Sequence, residues 1–399
     1  MLKGNRVERH IITKHHPMFK TCALYTRYSK DLYNHANYIV RKEFITNNNF
    51  IKYKELWKMM KTEESFKTIG SNSGQHTLKI LERNWKSFFV AIKDWSKNPQ
   101  KYLGKPKLPN YLDKEGQLVC VLTNMQSQIK NGYLYFAFTP FKPFNNLMKV
   151  QFNGKHMQTR IVPKKGYFVL EVVYEIEVPI LKEESTKIIG IDLGLNNLMA
   201  VQNNVGLKPF VVNGKPLKAF NNYYNMKKSS IQSELKKVNG LDWSVKLNQL
   251  TMKRDNKIDD YFHNASRYIV NYCIENNIDT VVIGKNDKWK QEFKNQRNFV
   301  QIPLEKLINK LQYKLRDIGI KVILTEESYT SKASFIDNDE MKKDIEFSGK
   351  RVKRGLYQTN KGVLINADVN GASNIMRKVF PNIFDGIKGV GLHPVIINM

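Results

Sequence analysis

The stretch KIIGIDLGLNNLMAV, residues 187–201, is an apolar run with one acid in its middle. Its length and β-branched content read as a buried strand, yet Asp192 stands where the run should be driest, with Gly194 just behind it. A carboxylate buried alone is strongly unfavourable unless it is paired or binds a cation. The plain alternative is a solvated acid at a strand end. The rest of the chain has to decide between them.

Working outward toward the C-terminus, strands and helices alternate. LMAVQNNVGLKPFVVNG (198–214) reads as two more strands. KIDDYFHNASRYIVNYCIENN (257–277) is an amphipathic helix with Ile258, Tyr261, Phe262, Ala265, Tyr268, Ile269, Tyr272 and Cys273 on one face. DTVVIG (279–284) is a buried strand. IPLEKLINKLQYKLRDIG (302–319) is a helix opened by Pro303, with Leu304, Leu307, Ile308, Leu311 and Leu315 inward and Gly319 at its end. IKVILTEE (320–327) is a further strand and NADVNGASNIMRKVF (366–380) a further helix. This order suits a mixed α/β sheet.

Toward the N-terminus the texture changes twice. From about residue 115 to 180 the period is two: in YFVLEVVYEIEV (167–178), Phe168, Leu170, Val172, Tyr174, Ile176 and Val178 share one face. VPKKGYF (162–168) before it reads as a hairpin turn, and the region as a small β-barrel or sandwich. Residues 17–103 are helical, basic and aromatic, and the prolines of GKPKLPNY (104–111) end them. Residues 1–16 read as a strand or arm.

The 399 residues are enough for two or three domains at about 150 each. Lys and Arg number 65 against 36 Asp and Glu, a net charge of +29 spread over the whole length. Such an excess points to a polyanionic partner. No run of about 18 apolar residues suggests a membrane span, and MLKGNRVERHIITKHH (1–16) has no apolar signal core, so a cytoplasmic protein is expected. The three cysteines, Cys22, Cys120 and Cys273, are isolated, which argues against disulfides and a cysteine zinc site.

An acid and glycine after a first strand serve two chemistries. An actin-like ATPase would need further Gly-rich phosphate loops, which this chain lacks. A nuclease of the ribonuclease H type would need further carboxylates at strand or helix ends, since two Mg²⁺ ions about 4 Å apart share oxygen ligands. Asp368, in the first turn of a helix beside Ala367, Gly371 and Ala372, fits the second pattern. It fits equally an ordinary first-turn acid favoured by the helix dipole.

GIDLGLNNLMAV (190–201), IDTVVIGKNDKWKQE (278–292), TEESYTSKASFIDND (325–339), FSGKRVKRGLY (347–357) and LINADVNGASNI (364–375) occur in one order, with LYNHANYIVRKEF (32–44) and ERNWKSFFVAIKDW (82–95) before them. In that order and form the chain resembles the TnpB family, RNA-guided DNA endonucleases of bacterial insertion sequences related to the type V CRISPR effectors. The resemblance implies a multidomain α+β fold: a β-barrel wedge domain (1–16 and 104–182), an inserted helical recognition domain (17–103) and a ribonuclease H-like RuvC nuclease domain (187–399). It implies Mg²⁺, replaceable by Mn²⁺, held by Asp192, Asp368 and a glutamate.

Two departures stand out. Most of the family carries the glutamate where this chain has Gly284, and a four-cysteine zinc element where residues 328–362 form a basic insert without cysteine. No zinc is therefore expected. The strand ending in Glu326 and Glu327 should lie about 4.8 Å from the 279–284 strand, so one of the two could reach the place vacated at Gly284. Their opposite parity allows only one, and Glu327 is preferred because Glu326 shares parity with Val322 and Leu324. A subset of the family resembles the chain in this relocation.

The resemblance further implies a guide RNA encoded near the gene, double-stranded target DNA next to a short flanking motif, and association with the bacterial nucleoid. Tyr25, Arg27, Tyr28 and Asn37 are candidates for nucleic-acid contact, as are Lys288 in the loop 288–299 and Arg351, Lys353 and Arg354 in a basic loop, 348–362. The function expected is Mg-dependent cleavage of DNA matched by the guide. The alternatives are a nuclease-silent, RNA-guided transcriptional repressor and a transposase acting without guide RNA.

Overall fold

A computed structural model describes residues 2–151, 154–181, 184–285, 302–386 and 389–399. The chain divides into two compact units, residues 3–177 and residues 178–399 with the first two residues.

In the first unit an N-terminal strand, β1 (Leu2–Ile12), leads into helices α1 (Phe19–Asn47), α2 (Tyr53–Met60), α3 (Glu64–Ile69) and α4 (Ser71–Lys97). Strands β2 (Cys120–Thr123), β3 (Ser127–Lys130), β4 (Tyr133–Phe136), β5 (Lys155–Lys164) and β6 (Tyr167–Val178) follow. Gly166, at φ +84°, makes the turn from β5 to β6. The strands form a sheet ordered β1-β6-β5-β2 and a separate ribbon, β3-β4. Among the described residues neither closes on itself, where the sequence suggests a small barrel or sandwich. Helices and sheet share one core, with Cys22, Leu32, Leu81 and Trp85 joined to Leu122, Ile161 and Leu170.

The second unit holds β7 (Ile188–Leu193), β8 (Asn197–Asn203), β9 (Phe210–Asn213), α5 (Lys215–Asn239), α6 (Val245–Glu275), β10 (Thr280–Lys285), α7 (Leu304–Arg316) and β11 (Lys321–Glu326). It continues with β12 (Lys350–Lys353), β13 (Leu356–Gln358), β14 (Leu364–Asn366), α8 (Ala367–Val379) and β15 (Val395–Ile397). The main sheet runs β11-β10-β7-β8-β9-β15. β8 is antiparallel to β7 and β9, β10 is parallel to β7 and β11, and β15 is parallel to β9.

Side-chain parity divides this sheet into two faces. Ile189, Ile191, Val281, Ile283 and Val322 join the apolar faces of α6 and α7. Ile188 and Val282 face the other way, onto Ile375 and Met376 of α8. The helix comes so close to β7 that a Cβ on Gly190 would lie 2.5 Å from the carbonyl oxygen of Ala372. Among the described residues no helix is long and apolar enough to cross a membrane.

The helix α5, the short strand β15 and the sheet β12-β13-β14 are not evident from the sequence pattern. Residues 350–358, expected as a basic loop, are an antiparallel hairpin with Gly355 at φ +88° in its turn.

Candidate active site

Asp192 lies near the end of β7 on the α8 face of the sheet. The register pairs Ile191 with Ile283, so the next residues, Asp192 and Gly284, are neighbours across the β7–β10 pair. On the other side of β10, Gly284 pairs with Thr325. Side chains alternate along a strand, so Glu327, two residues beyond Thr325, returns to the face carrying Gly284. A Cβ on Gly284 would indeed sit 3.2 Å from Glu327 Oε2. The missing side chain at 284 thus leaves room that the Glu327 carboxylate borders.

Glu326 points elsewhere. Lys378 Nζ donates to its Oε2 at 3.0 Å, and Ser328 donates to its Oε1 through both backbone N–H and hydroxyl. Burial nudges its pKa up, but these donors bring it below the usual glutamate range.

The third acid comes from α8. Asn366 caps that helix, its side-chain oxygen accepting from the N–H of Asp368 and of Val369, each at 3.1 Å. The cap fixes the first turn in which Asp368 stands. Asn197 Nδ2 donates to Asp368 Oδ2 at 2.6 Å, and Arg351 Nη2 lies 3.6 Å from Oδ1. One turn further along α8, Gly371 faces Asp192 so closely that a Cβ there would lie 2.6 Å from Asp192 Oδ2.

Burial pushes the Asp192 carboxyl well above the usual aspartate range, and the nearby charges of Glu327 and Asp368 push it further. Arg351 opposes them. Carboxylates from the first turn of α8 and from just beyond β11 therefore act on the one carried by β7. Among the described residues no group of three or more His, Cys, Asp or Glu side chains is drawn into metal-holding geometry. The donor set is all oxygen, which matches Mg²⁺ or Mn²⁺ rather than a soft metal. The desolvated acid facing two others is an environment that a divalent cation would relieve.

The segment after Glu327 is held by side-chain hydrogen bonds. Asp339 accepts from Ser334 N–H at 2.8 Å and from Ser348 Oγ at 2.5 Å. Tyr357 donates its hydroxyl to Lys332 O, and Asn370 and Asn374 of α8 donate to Ala333 O.

The candidate nucleic-acid residues are scattered. Tyr25 is buried among Tyr28, Phe138 and Phe141, and Asn37 is buried with its amide bonded to Pro109 O and to the Trp85 indole N–H. Both are corrected to core residues, since packing α1 against α4 and the strands consumes that helix face. Tyr28 is half-buried, and Arg27 is exposed, 3.9 Å from Glu115. Lys353 and Arg354 are exposed on the hairpin, which also carries Arg351. Lys288 and the loop 288–299 lie outside the described residues.

Sequence reasoning missed Asn197, Asn366 and Lys378, and named Gly371 only as a small neighbour of Asp368. The Asn-Ala-Asp run was a legible cap signal for Asn366; the other three depend on contacts across the fold.

Residues 171–290 match the OrfB_IS605 family, described as a probable transposase, and residues 305–375 match the Cas12f1-like TNB domain. The TnpB-like protein ORF457 of Acidianus two-tailed virus is 22% identical over 406 aligned positions, covering 90% of this chain and 83% of the relative. A cryo-EM structure of a Cas12f1–sgRNA–target DNA complex superposes with a TM-score of 0.53 at 14% identity, covering 89% of this chain and 82% of that one. At that identity the likeness shows a shared fold: a mixed α+β, multidomain architecture of the Cas12 kind.

Proposed function

Because the chain is a member of the TnpB family, we propose that it is a Mg-dependent DNA endonuclease that a guide RNA directs to matching double-stranded DNA beside a short flanking motif. The observation that carries this reading is the meeting of Asp192, Glu327 and Asp368 on one face of the main sheet. In this reading the second unit is the RuvC nuclease domain. The first unit, with its helices and open sheet, takes the place of the recognition and wedge domains.

Asp192, Asp368 and Glu327 would hold Mg²⁺, which when bound would supply the charge that activates an attacking water and stabilises a leaving oxygen. Glu327 serves in place of the glutamate missing at Gly284, and Glu326 stays bonded to Lys378. Asn197 and the Asn366 cap orient Asp368. Gly371 lets α8 close against Asp192, excluding water from one side of that carboxylate. Arg351, on the exposed hairpin beside Asp368, is poised to form a charge-assisted pair with a backbone phosphate. The segment 328–362 is held by the Asp339 and Tyr357 hydrogen bonds, and in this reading it needs no zinc. The positive charge holds guide and target through their phosphates, while base pairing selects the sequence.

The test is to purify the protein with its native flanking sequence expressed in cis, sequence the RNA that copurifies, and challenge the complex with matched DNA and Mg²⁺. One discrete RNA encoded near the gene and guide-dependent cleavage, lost in Asp192→Ala with binding retained, are expected. A complex that binds matched DNA and never cuts would replace this reading with that of a guided repressor. Strand joining without RNA would make it a transposase.

A further inference from the structure

Away from the carboxylates, the first unit carries an open cleft of about 570 Å³, a size typical of ligand sites. It lies between the C-terminal part of α1, the second half of α4 and the residues just before 111. Phe44, Phe88 and Phe89 form its walls, Arg41, Lys105 and Lys107 stand on its rim, and no acid lines it. The rings brace one another, with centroids 5.7 Å apart for Phe44–Phe89 and 5.4 Å for Phe88–Phe89, yet all three remain partly exposed. The guanidinium of Arg41 is fixed by donating to Pro109 O at 2.8 Å and by lying 5.2 Å from the Tyr111 ring centroid.

An apolar partner would cover the rings but leave three cations without counter-charge. A second copy of the chain seated with the cleft on the two-fold axis would bring the same cations of both copies together. A nucleotide supplies both halves at once: a π-face for the rings and phosphates for the rim. We propose that this cleft binds an unpaired nucleotide of single-stranded nucleic acid, its base against Phe88 and Phe89 and its flanking phosphates on Arg41, Lys105 and Lys107. The kind of partner rests on the function proposed above; the site adds a contact that needs neither guide pairing nor cleavage.

The test uses the full-length protein freed of RNA and a labelled oligouridylate of about ten nucleotides, within the range of one single-strand binding module. One version carries a central 5-iodouridine and another a central abasic unit, each prepared as RNA and as DNA. Irradiation should attach the iodouridine strand to peptides containing Phe44, Phe88 or Phe89. Phe88→Leu, which keeps apolar bulk, should weaken binding of the base-bearing strand about tenfold and leave the abasic strand unchanged. Lys107→Ala, at an exposed site outside the core, should lower the slope of log K against log salt by about one. Whichever of the RNA and DNA arms binds tighter identifies the source of the nucleotide.

Equal loss for base-bearing and abasic strands, or crosslinks confined to other peptides, overturns the site. So does a dimer of the RNA-free protein in sedimentation that Phe88→Leu dissociates, which gives the cleft to a second copy. Guided cleavage by a protein that fails this test leaves the proposed function standing, whereas absence of guided cleavage leaves the cleft to be judged by the binding data alone.

Discussion

Gly371→Ala adds one methyl group to α8 and should disable the site while sparing the fold. The new Cβ would lie 2.6 Å from Asp192 Oδ2, against about 3.4 Å for the near edge of ordinary contact, so one of the two must move by about 0.8 Å. Helix α8 cannot readily withdraw, because doing so would open the packing of Ile375 and Met376 on Ile188 and Val282 and stretch the bonds of Asn370 and Asn374 to Ala333 O. The carboxylate is the part that yields. Misplacement of a reacting group by about 1 Å costs on the order of 10²-fold in rate, and about 10²-fold slower guided cleavage is expected. Crowding costs about 1–3 kcal/mol, offset by about 1 kcal/mol for replacing a mid-helix glycine by alanine. The net change in stability should therefore stay within about 2 kcal/mol.

Single-turnover cleavage of matched DNA, filter binding of the same substrate and a thermal melt together separate these effects. Gly104→Ala, where a Cβ meets nothing within 4 Å, is the control. Unimpaired cleavage by Gly371→Ala would mean that the Asp192 carboxylate is not held against α8 in the working enzyme. Equal loss of binding and cleavage would point to a general folding defect instead.

Three further outcomes are expected. Glu327→Gln should abolish guided cleavage and Glu326→Gln leave it within a few-fold of the unmodified protein; the reverse pattern in a cleavage assay would move the third ligand to Glu326. Asp192 has a folded-state pKa raised by burial and by Glu327 and Asp368, so its ionisation favours unfolding, and this contribution reduces stability as pH rises above the unfolded aspartate value. Asp192→Asn should accordingly raise the Tm measured in EDTA at neutral pH and remove most of the gain in Tm on adding Mg²⁺; a lowered Tm in EDTA would contradict it. Burial, with Arg267 and Lys310 nearby, lowers the Lys314 pKa to about 8, while its amine donates to His263 O and Ser266 Oγ. Between about 8 and the unfolded value of 10.5 the unfolded chain binds the extra proton, so this group makes stability rise with pH in that window. Denaturant melts of Lys314→Met against the unmodified protein at pH 7 and pH 9 should show that rise only in the latter.

Periodicity determined much of the fold without help. The 3.6-residue repeats of α6 and α7 mark Ile258, Phe262, Ala265 and Ile269, and Leu304, Leu307, Leu311 and Leu315, all of which are buried. The two-residue repeat of β6 does the same for Phe168, Leu170 and Val172, because each element must bury one face wherever it packs. Helix α5 escaped this reading because its charged and amide residues obscure any continuous apolar stripe. The hairpin β12–β13 escaped because its first strand is exposed at every position.

At the site the sequence reduces the third acid to Glu326 or Glu327. Only the parallel register of β10 and β11, set by residues about forty positions apart, turns Glu327 toward Asp192. The Asn197–Asp368 bond spans 171 positions, and the contact of Gly371 with Asp192 spans slightly more. The sequence offered Tyr25 and Asn37 as candidates for nucleic-acid contact; packing against Phe138 and Trp85 made them core. A local pattern reports what a segment must bury. Which side chains then meet is decided by neighbours brought together from distant parts of the chain.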